Sequence, residues 1–155
     1  MTVKSTGMLI AIDMYNCKDA HLEDSKVLSQ SLYALAEQYV MAPHDVQIYE
    51  EKNGQDYAFF IACYGGHITF HVYPERGYVG ADVFTVDGAA EPDAFARAAM
   101  DFLDPDKLKV TYVERQDYGT RKDMKPRHRT RSKTITRMQK VNEKFLQLML
   151  RPRSM

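Results

Sequence analysis

Two histidines, a tyrosine and a glutamate are crowded into the stretch GGHITFHVYPERGYVGADVF, residues 65–84. Strand side chains alternate between faces, so His67, Thr69, His71 and Tyr73 point one way while Ile68, Phe70 and Val72 point the other. An imidazole exchanges a proton near neutral pH and a carboxylate holds hydroxyls or cations, so such a face has the groups to bind a polar ligand or to move a proton. The same pattern also describes a half-buried strand whose polar side carries histidines. Metal ligation by the pair is disfavoured. Residues four apart on a strand lie about 13 Å apart at roughly 3.3 Å each, too far to share an ion without partners such as His44 brought in by the fold.

The elements that must position these residues follow from periodicity and turn chemistry. Residues 7–16 read as a strand, and residues 25–40 as a helix with Leu28, Leu32, Leu35 and Tyr39 on one stripe, ended by Pro43. Strands are expected at 46–50 and 57–63, joined across Lys52-Asn53-Gly54-Gln55, and at 67–73 and 78–86, joined across Pro74-Glu75-Arg76-Gly77. These four form an antiparallel meander. Pro92 opens a second helix whose stripe of Phe95, Ala98, Ala99 and Phe102 runs to Asp104-Pro105, and residues 107–114 read as the last strand. Beyond Gly119 a basic stretch runs to Lys133, followed by an expected helix with Ile135, Met138, Val141, Phe145 and Leu148 on one face, closed by Pro152. The fold class is α+β: a two-layer sandwich, mostly antiparallel sheet with helices on one face, plus a basic C-terminal helical extension.

Bulk properties narrow the setting. The 155 residues, 45% hydrophobic and 11% aromatic, suffice for one globular core. The apolar run at residues 8–12 is cut by Asp13, far short of a membrane span or a signal-peptide core, so a cytoplasmic protein is expected. Cys17 and Cys63 read as small buried thiols, with no disulfide and no catalytic part. Zero net charge hides a division: residues 1–120 carry 9 Lys and Arg against 19 Asp and Glu, a net of −10, while residues 121–155 carry 12 against 2, a net of +10. The basic tail is either a solvated extension or a docking segment for nucleic acid, an acidic partner or a neighbouring protomer.

With its order of elements, the block GHITFHVYPERGYVGADVFTVDG resembles the small prokaryotic S-adenosylmethionine decarboxylases of spermidine synthesis, whose motif reads roughly E-S-H-I-S-I-H-T-[WY]-P-E…Y…D-[VI]-[FY]-T-C-G. The likeness covers residues 7–115, and His67, Ile68, His71, Tyr73, Pro74, Glu75, Tyr78, Asp82, Val83, Phe84, Thr85 and Gly88 fit it, the last one residue late. In that family the precursor cuts itself between the Glu and the Ser, and the serine becomes a pyruvoyl group that forms a Schiff base with the substrate amine.

The departures fall where that chemistry belongs. Gly65 and Gly66 stand in place of Glu-Ser, which removes the hydroxyl that would attack the preceding carbonyl and so the source of the ketone-bearing terminus. The proton-donating cysteine falls at Val86, the upstream processing serine at Ala58, and one adenine-stacking phenylalanine near Lys52. Cys63 is a poor substitute pyruvoyl source, because it lies three residues upstream and out of register. The resemblance leaves His67 and His71 at family-matched positions, His71 at that of the processing histidine, assigns no catalytic residue, and implies Tyr73, Glu75 and Asp82 as ligand-binding residues; no pyruvoyl cofactor or metal is expected.

The expected function is a non-self-processing relative in polyamine biosynthesis, acting as a non-catalytic partner or regulator. S-adenosylmethionine is its possible ligand. By similarity it is a homodimer with sheets facing each other, or a heteromer with another enzyme of the pathway. Two other classes remain: a pyruvoyl-independent lyase or hydrolase of S-adenosylmethionine using Glu75 or His71 as base, and a nucleic-acid-binding protein acting through the tail. The expected division is residues 1–118 as the decarboxylase-like domain and 119–155 as linker and amphipathic helix.

Overall fold

Seven strands build one antiparallel sheet, with apolar residues alternating along β1, β3, β4, β5 and β6. The computed structural model describes residues 7–18, 20–115 and 130–136. In chain order the elements are β1 (Gly7–Tyr15), α1 (Ser25–Gln38), β2 (Pro43–Glu50), β3 (Tyr57–Cys63), β4 (Gly66–Tyr73), β5 (Tyr78–Thr85), α2 (Pro92–Leu103), β6 (Lys107–Arg115) and β7 (Thr130–Thr136). The sheet order is β2-β3-β4-β5-β1-β6-β7, and every neighbouring pair is antiparallel. The expected meander of β2 to β5 is therefore present, with β1 laid beside β5.

One side of the sheet is dry. Ile10, Ile12 and Met14 of β1, Phe59 and Ile61 of β3, Ile68, Phe70 and Val72 of β4, and Val79 and Val83 of β5 are buried in a single cluster with Leu28, Leu32 and Ala36 of α1 and Phe95, Ala99 and Leu103 of α2. Both helices thus cover the same face, as the α+β two-layer reading requires. The opposite face has no described helix over it. It carries the other parity of every strand, including the histidines.

The helices begin where the sequence suggests and end for local reasons. Asp24 caps α1, its carboxylate accepting from the Val27 amide at 3.0 Å. The helix stops at Gln38, well before Pro43, which instead opens β2. Val40 takes a left-handed φ of 58°, its amide donates to Glu37, and the Met41 amide donates to Ala36, closing the turn that glycine usually closes. A β-branched residue there costs about 1–2 kcal/mol; the burial of Met41 beneath it offsets that cost. Pro92 starts α2, and left-handed Asp104 followed by Pro105 ends it.

Residues 130–136 depart from expectation. The sequence places them at the end of a basic linker and the start of a helix containing Ile135, but they form edge strand β7. It pairs with β6 from Val113 opposite Thr130 to Lys107 opposite Thr136. The segment TRSKTIT is rich in β-branched residues, and β6 presents a row of backbone donors and acceptors that a strand satisfies. The rest of the expected helix, with Met138, Val141, Phe145 and Leu148, lies outside the described residues.

Candidate functional site

Antiparallel register arranges the helix-free face into rows that cross the sheet. One row runs Asp45, Ala62, His67, Phe84, Leu9, Val113. The next runs Gln47, Phe60, Thr69, Asp82, Ala11, Thr111, and the third Tyr49, Ala58, His71, Gly80, Asp13, Lys109. Tyr73, Tyr78 and Tyr15 close this set on β4, β5 and β1. His67, Thr69, His71 and Tyr73 therefore do share one face, as parity predicts, and the β4–β5 register adds Asp82 to it.

Their surroundings differ. His67 is half-buried between two rings, 5.5 Å from the Phe60 centroid and 5.3 Å from the Phe84 centroid, with Arg115 5.4 Å from Phe84 beyond it. His71 is exposed, with Ala58 opposite on β3 and Gly80 opposite on β5. The Thr69 hydroxyl donates to Asp82 at 3.4 Å, which ties that carboxylate to β4. Glu75 is exposed on the single 3₁₀ turn Pro74–Arg76, which left-handed Gly77 closes. Tyr73 packs on Tyr78 with ring centroids 5.7 Å apart, and Arg76 lies 5.9 Å from its ring.

The stretch around residues 65 and 66 is a tight hairpin. Cys63 pairs with Gly66, leaving Tyr64 and Gly65 as a two-residue loop, and Gly65 has φ 77°. The Gly65 carbonyl accepts from the Val86 amide at 2.8 Å, so Val86 is bound to the loop through its backbone. Beside it Thr85 is buried and accepts from the Asp87 amide at 3.0 Å. Gly66 has no space for a side chain: a Cβ there would lie 2.0 Å from the Phe84 carbonyl oxygen and 2.9 Å from the Thr85 Cα. A pyruvoyl group formed from residue 66 does not fit these residues, which supply neither the hydroxyl that would attack the Gly65 carbonyl nor room for the Cβ that would become the methyl group.

Other sequence candidates separate. Cys63 is buried on the helix side, and burial pushes its thiol up to about 11, so it is held neutral away from the open face. Lys52 lies in the exposed turn between β2 and β3, outside the sheet. His44 packs against Tyr64 with tilted rings 4.5 Å apart. Among the described residues no three His, Cys, Asp or Glu side chains gather closely enough to hold a metal ion, and no helix is long and apolar enough to cross a membrane.

One short polar contact on this face joins residues that periodicity does not connect. The Tyr78 hydroxyl donates to Asp13 at 2.5 Å, and Lys109 approaches the same carboxylate at 3.7 Å. Burial and then the Asp13 hydrogen bond raise the Tyr78 phenol well above its usual range, so it stays protonated. Its ring folds back over its own strand. A Cβ on Gly80 would stand 2.9 Å from the Tyr78 Oη, so glycine leaves room for the hydroxyl. The one sequence signal was Asp13, a charge interrupting an apolar strand.

Residues 8–116 match the sequence profile described as S-adenosylmethionine decarboxylase. The chain belongs to the S-adenosylmethionine decarboxylase family. It is similar to the S-adenosylmethionine decarboxylase proenzyme of Clostridium botulinum, 27% identical over 90 residues that cover 58% of this chain and 77% of that protein. The proenzyme of Methanococcus vannielii is 25% identical over 117 residues, covering 73% of this chain and 92% of its own length. In fold it is similar to the crystal structure of the adenosylmethionine decarboxylase from Aquifex aeolicus, with a TM-score of 0.65 at 16% identity, covering 82% of this chain and all of that one.

Proposed function

We propose that this member of the family acts in polyamine biosynthesis as an S-adenosylmethionine-binding protein that does not process itself, and that it works as a partner or regulatory subunit rather than as a pyruvoyl-dependent decarboxylase. The observation that carries this reading is the closed hairpin, where a Cβ on residue 66 would meet the Phe84 carbonyl oxygen at 2.0 Å. The serine is missing, and the backbone has taken up its space. Val86 cannot donate a proton, and Ala58, opposite His71, has no hydroxyl to assist a cleavage.

The same geometry supports a dimer. Gly66 and Tyr73 stand at opposite ends of β4, about 23 Å apart at roughly 3.3 Å per residue. A ligand the size of S-adenosylmethionine cannot touch both ends of one strand. The two ends come together when a second copy, or a pathway enzyme with the same fold, lays its helix-free face over this one in the opposite direction. Aromatic residues on that face favour such a cover: Tyr15, Tyr49 and Phe60 are 40%, 55% and 37% exposed. The basic tail adds a salt-sensitive attraction to an acidic partner.

Intact-mass measurement on the purified protein, with and without S-adenosylmethionine, tests the reading. One uncleaved chain that retains the ligand in native spectra is the expected result. Two fragments meeting near residue 65, or a ketoacyl terminus, would overturn it. Conversion of the labelled ligand in a single turnover by the uncleaved chain would instead identify a lyase or hydrolase.

A further inference from the structure

Where β2 begins and the loop between β3 and β4 turns, apolar side chains stand open to solvent. Val40 is 48% exposed and Tyr64 69%, and exposed His44 sets its ring 4.5 Å from that of Tyr64. The backbone beneath them is fixed. Val40 and Ala42 take left-handed φ of 58° and 53°, the Tyr64 amide donates to the Ala42 carbonyl at 3.0 Å, and the Tyr33 hydroxyl donates to the Pro43 carbonyl at 3.1 Å. Left-handed backbone away from glycine costs free energy and persists only where its surroundings impose it, which gives this patch a defined shape.

Acidic residues rim the patch. The Val40 amide donates to the Glu37 carbonyl at 3.2 Å, the Glu91 amide donates to the Tyr39 carbonyl at 3.1 Å, Asp45 follows His44, and the Asp87 Cβ lies 3.2 Å from where a Cβ on Gly65 would stand. The segments that meet here, residues 37–45, 62–66 and 85–91, contain these four carboxylates and no Lys or Arg. Among the described residues none of the four carboxylates has an ion pair. Charges of one sign gathered around an apolar centre raise the local concentration of an oppositely charged ligand.

We propose that this acid-rimmed patch receives residues 137–155 of a second copy of the chain. Those residues lie outside the described ones, but their sequence matches the patch in both respects. They carry five Lys and Arg against one Glu, a net of +4 to meet four carboxylates, and Val141, Phe145 and Leu148 recur at helical spacing to cover Val40 and Tyr64. The chain's own tail starts too far away. β7 and β2 are the two edges of the sheet, six strand spacings or about 29 Å apart at roughly 4.8 Å each. Thr136 pairs with Lys107, opposite Tyr15, whereas the patch adjoins the row of Gly66, Thr85 and Met8, seven residues or about 23 Å back along β1. The gap is about 37 Å, and a helix from 137 to 148 spans about 18 Å at 1.5 Å per residue. A second copy brings its own tail and is free of that limit. The contact holds whether or not the chain binds S-adenosylmethionine, so it goes beyond the function proposed above.

The test mixes full-length chains at natural abundance with full-length chains labelled with nitrogen-15, couples touching amines and carboxylates with a carbodiimide, and reads the joined peptides by mass spectrometry. Lys140 and Lys144 should join to Glu37, Asp45, Asp87 or Glu91 in peptides of mixed isotope content, which only two different chains can give. In sedimentation at low salt, Glu37→Lys with Glu91→Lys should weaken self-association roughly tenfold, and adding Lys140→Glu with Lys144→Glu to the same chain should restore it, a recovery that damage to the fold would not allow. Tyr64→Ser should weaken association about threefold to tenfold at low and high salt alike, because its part is apolar burial. Joined peptides of unmixed isotope content would place the tail on its own body and overturn the proposal. So would coupling of Lys140 and Lys144 only to carboxylates elsewhere, or charge-reversed chains that associate like the native protein while the tail binds a nucleic-acid probe. Native spectra with S-adenosylmethionine are read separately, so this contact and the function proposed above fail independently.

Discussion

Gly66 and Phe84 are in closer backbone contact than a side chain at 66 would permit, the Cβ position of the first falling 2.0 Å from the carbonyl oxygen of the second. The two lie on β4 and β5, where Gly66 pairs with Thr85 and His67 with Phe84. The missing side chain and the close backbone approach occur at the same point.

Gly66→Ser should therefore destabilise the protein rather than revive it. Forcing atoms into a packed site costs about 1–3 kcal/mol, and here the obstacle is backbone. The expected outcome is a lower denaturation midpoint with an unchanged slope, and a single uncleaved chain by mass spectrometry. Efficient cleavage before residue 66 would show that the hairpin opens readily.

Gly65→Ala tests the turn separately. Its φ of 77° suits glycine, and a Cβ there would approach the Asp87 Cβ at 3.2 Å, so the substitution should cost about 1–2 kcal/mol. Thermal melting of Gly65→Ala beside Gly54→Ala is informative. Gly54 has φ 71° with open space around it, so its loss measures backbone strain alone.

Asp93 gives a pH dependence of opposite sign to that of a salt-bridged carboxylate. Burial raises its carboxyl from 3.8 to about 6 and Arg97 offsets only part of this, while among the described residues its Oδ1 has no hydrogen-bond partner. Between those values the folded protein binds the proton that the unfolded chain releases, so stability falls as pH rises from about 4 to about 6 and stays lower above. Asp93→Asn should flatten that part of the profile and raise stability at pH 7.5 by about 1 kcal/mol, a value reduced for partial exposure from the roughly 1.4 kcal/mol per pKa unit of a fully buried group. Denaturation midpoints at several pH values measure this. A profile unchanged by the substitution would assign the dependence to other groups.

The meander was legible because turn chemistry divides the alternation: Asn53-Gly54 and Pro74 to Gly77 sit between runs of clear parity, and the strands fall where those runs do. The shared face of His67 and His71 follows from the same parity. Val40 was not legible as a helix terminator, since composition points to Pro43 and only the bonds from Val40 and Met41 back to Glu37 and Ala36 show the earlier stop. The pair Tyr78 and Asp13 is 65 residues apart in sequence and meets only because β1 joins β5 in one particular register. Matching residues to a motif also says nothing of their separation along β4, on which the proposed dimer rests.

β7 alters what the tail should do when it is cut. It comes from the basic segment, yet it pairs with β6 over seven positions, so a chain ending at 118 loses an edge strand and exposes the edge beneath it. A chain ending at 136 keeps that pairing and loses only the residues beyond. The shorter variant should melt roughly 5–10 °C below full length, corresponding to about 2 kcal/mol for a domain of this size, and should self-associate as concentration rises. The longer variant should melt like the intact protein. Docking by the tail is a separate property: if residues 137–155 hold a partner or second copy through their charge, sedimentation of the full chain should shift to smaller species between low and high salt, because attraction between exposed charges fades over a Debye length of about 8 Å at physiological ionic strength. The chain ending at 136 should show less of that shift. If the chain ending at 118 is as stable and monodisperse as the intact protein, β7 lies outside the cooperative fold, and equal salt responses in all three would remove the tail from assembly.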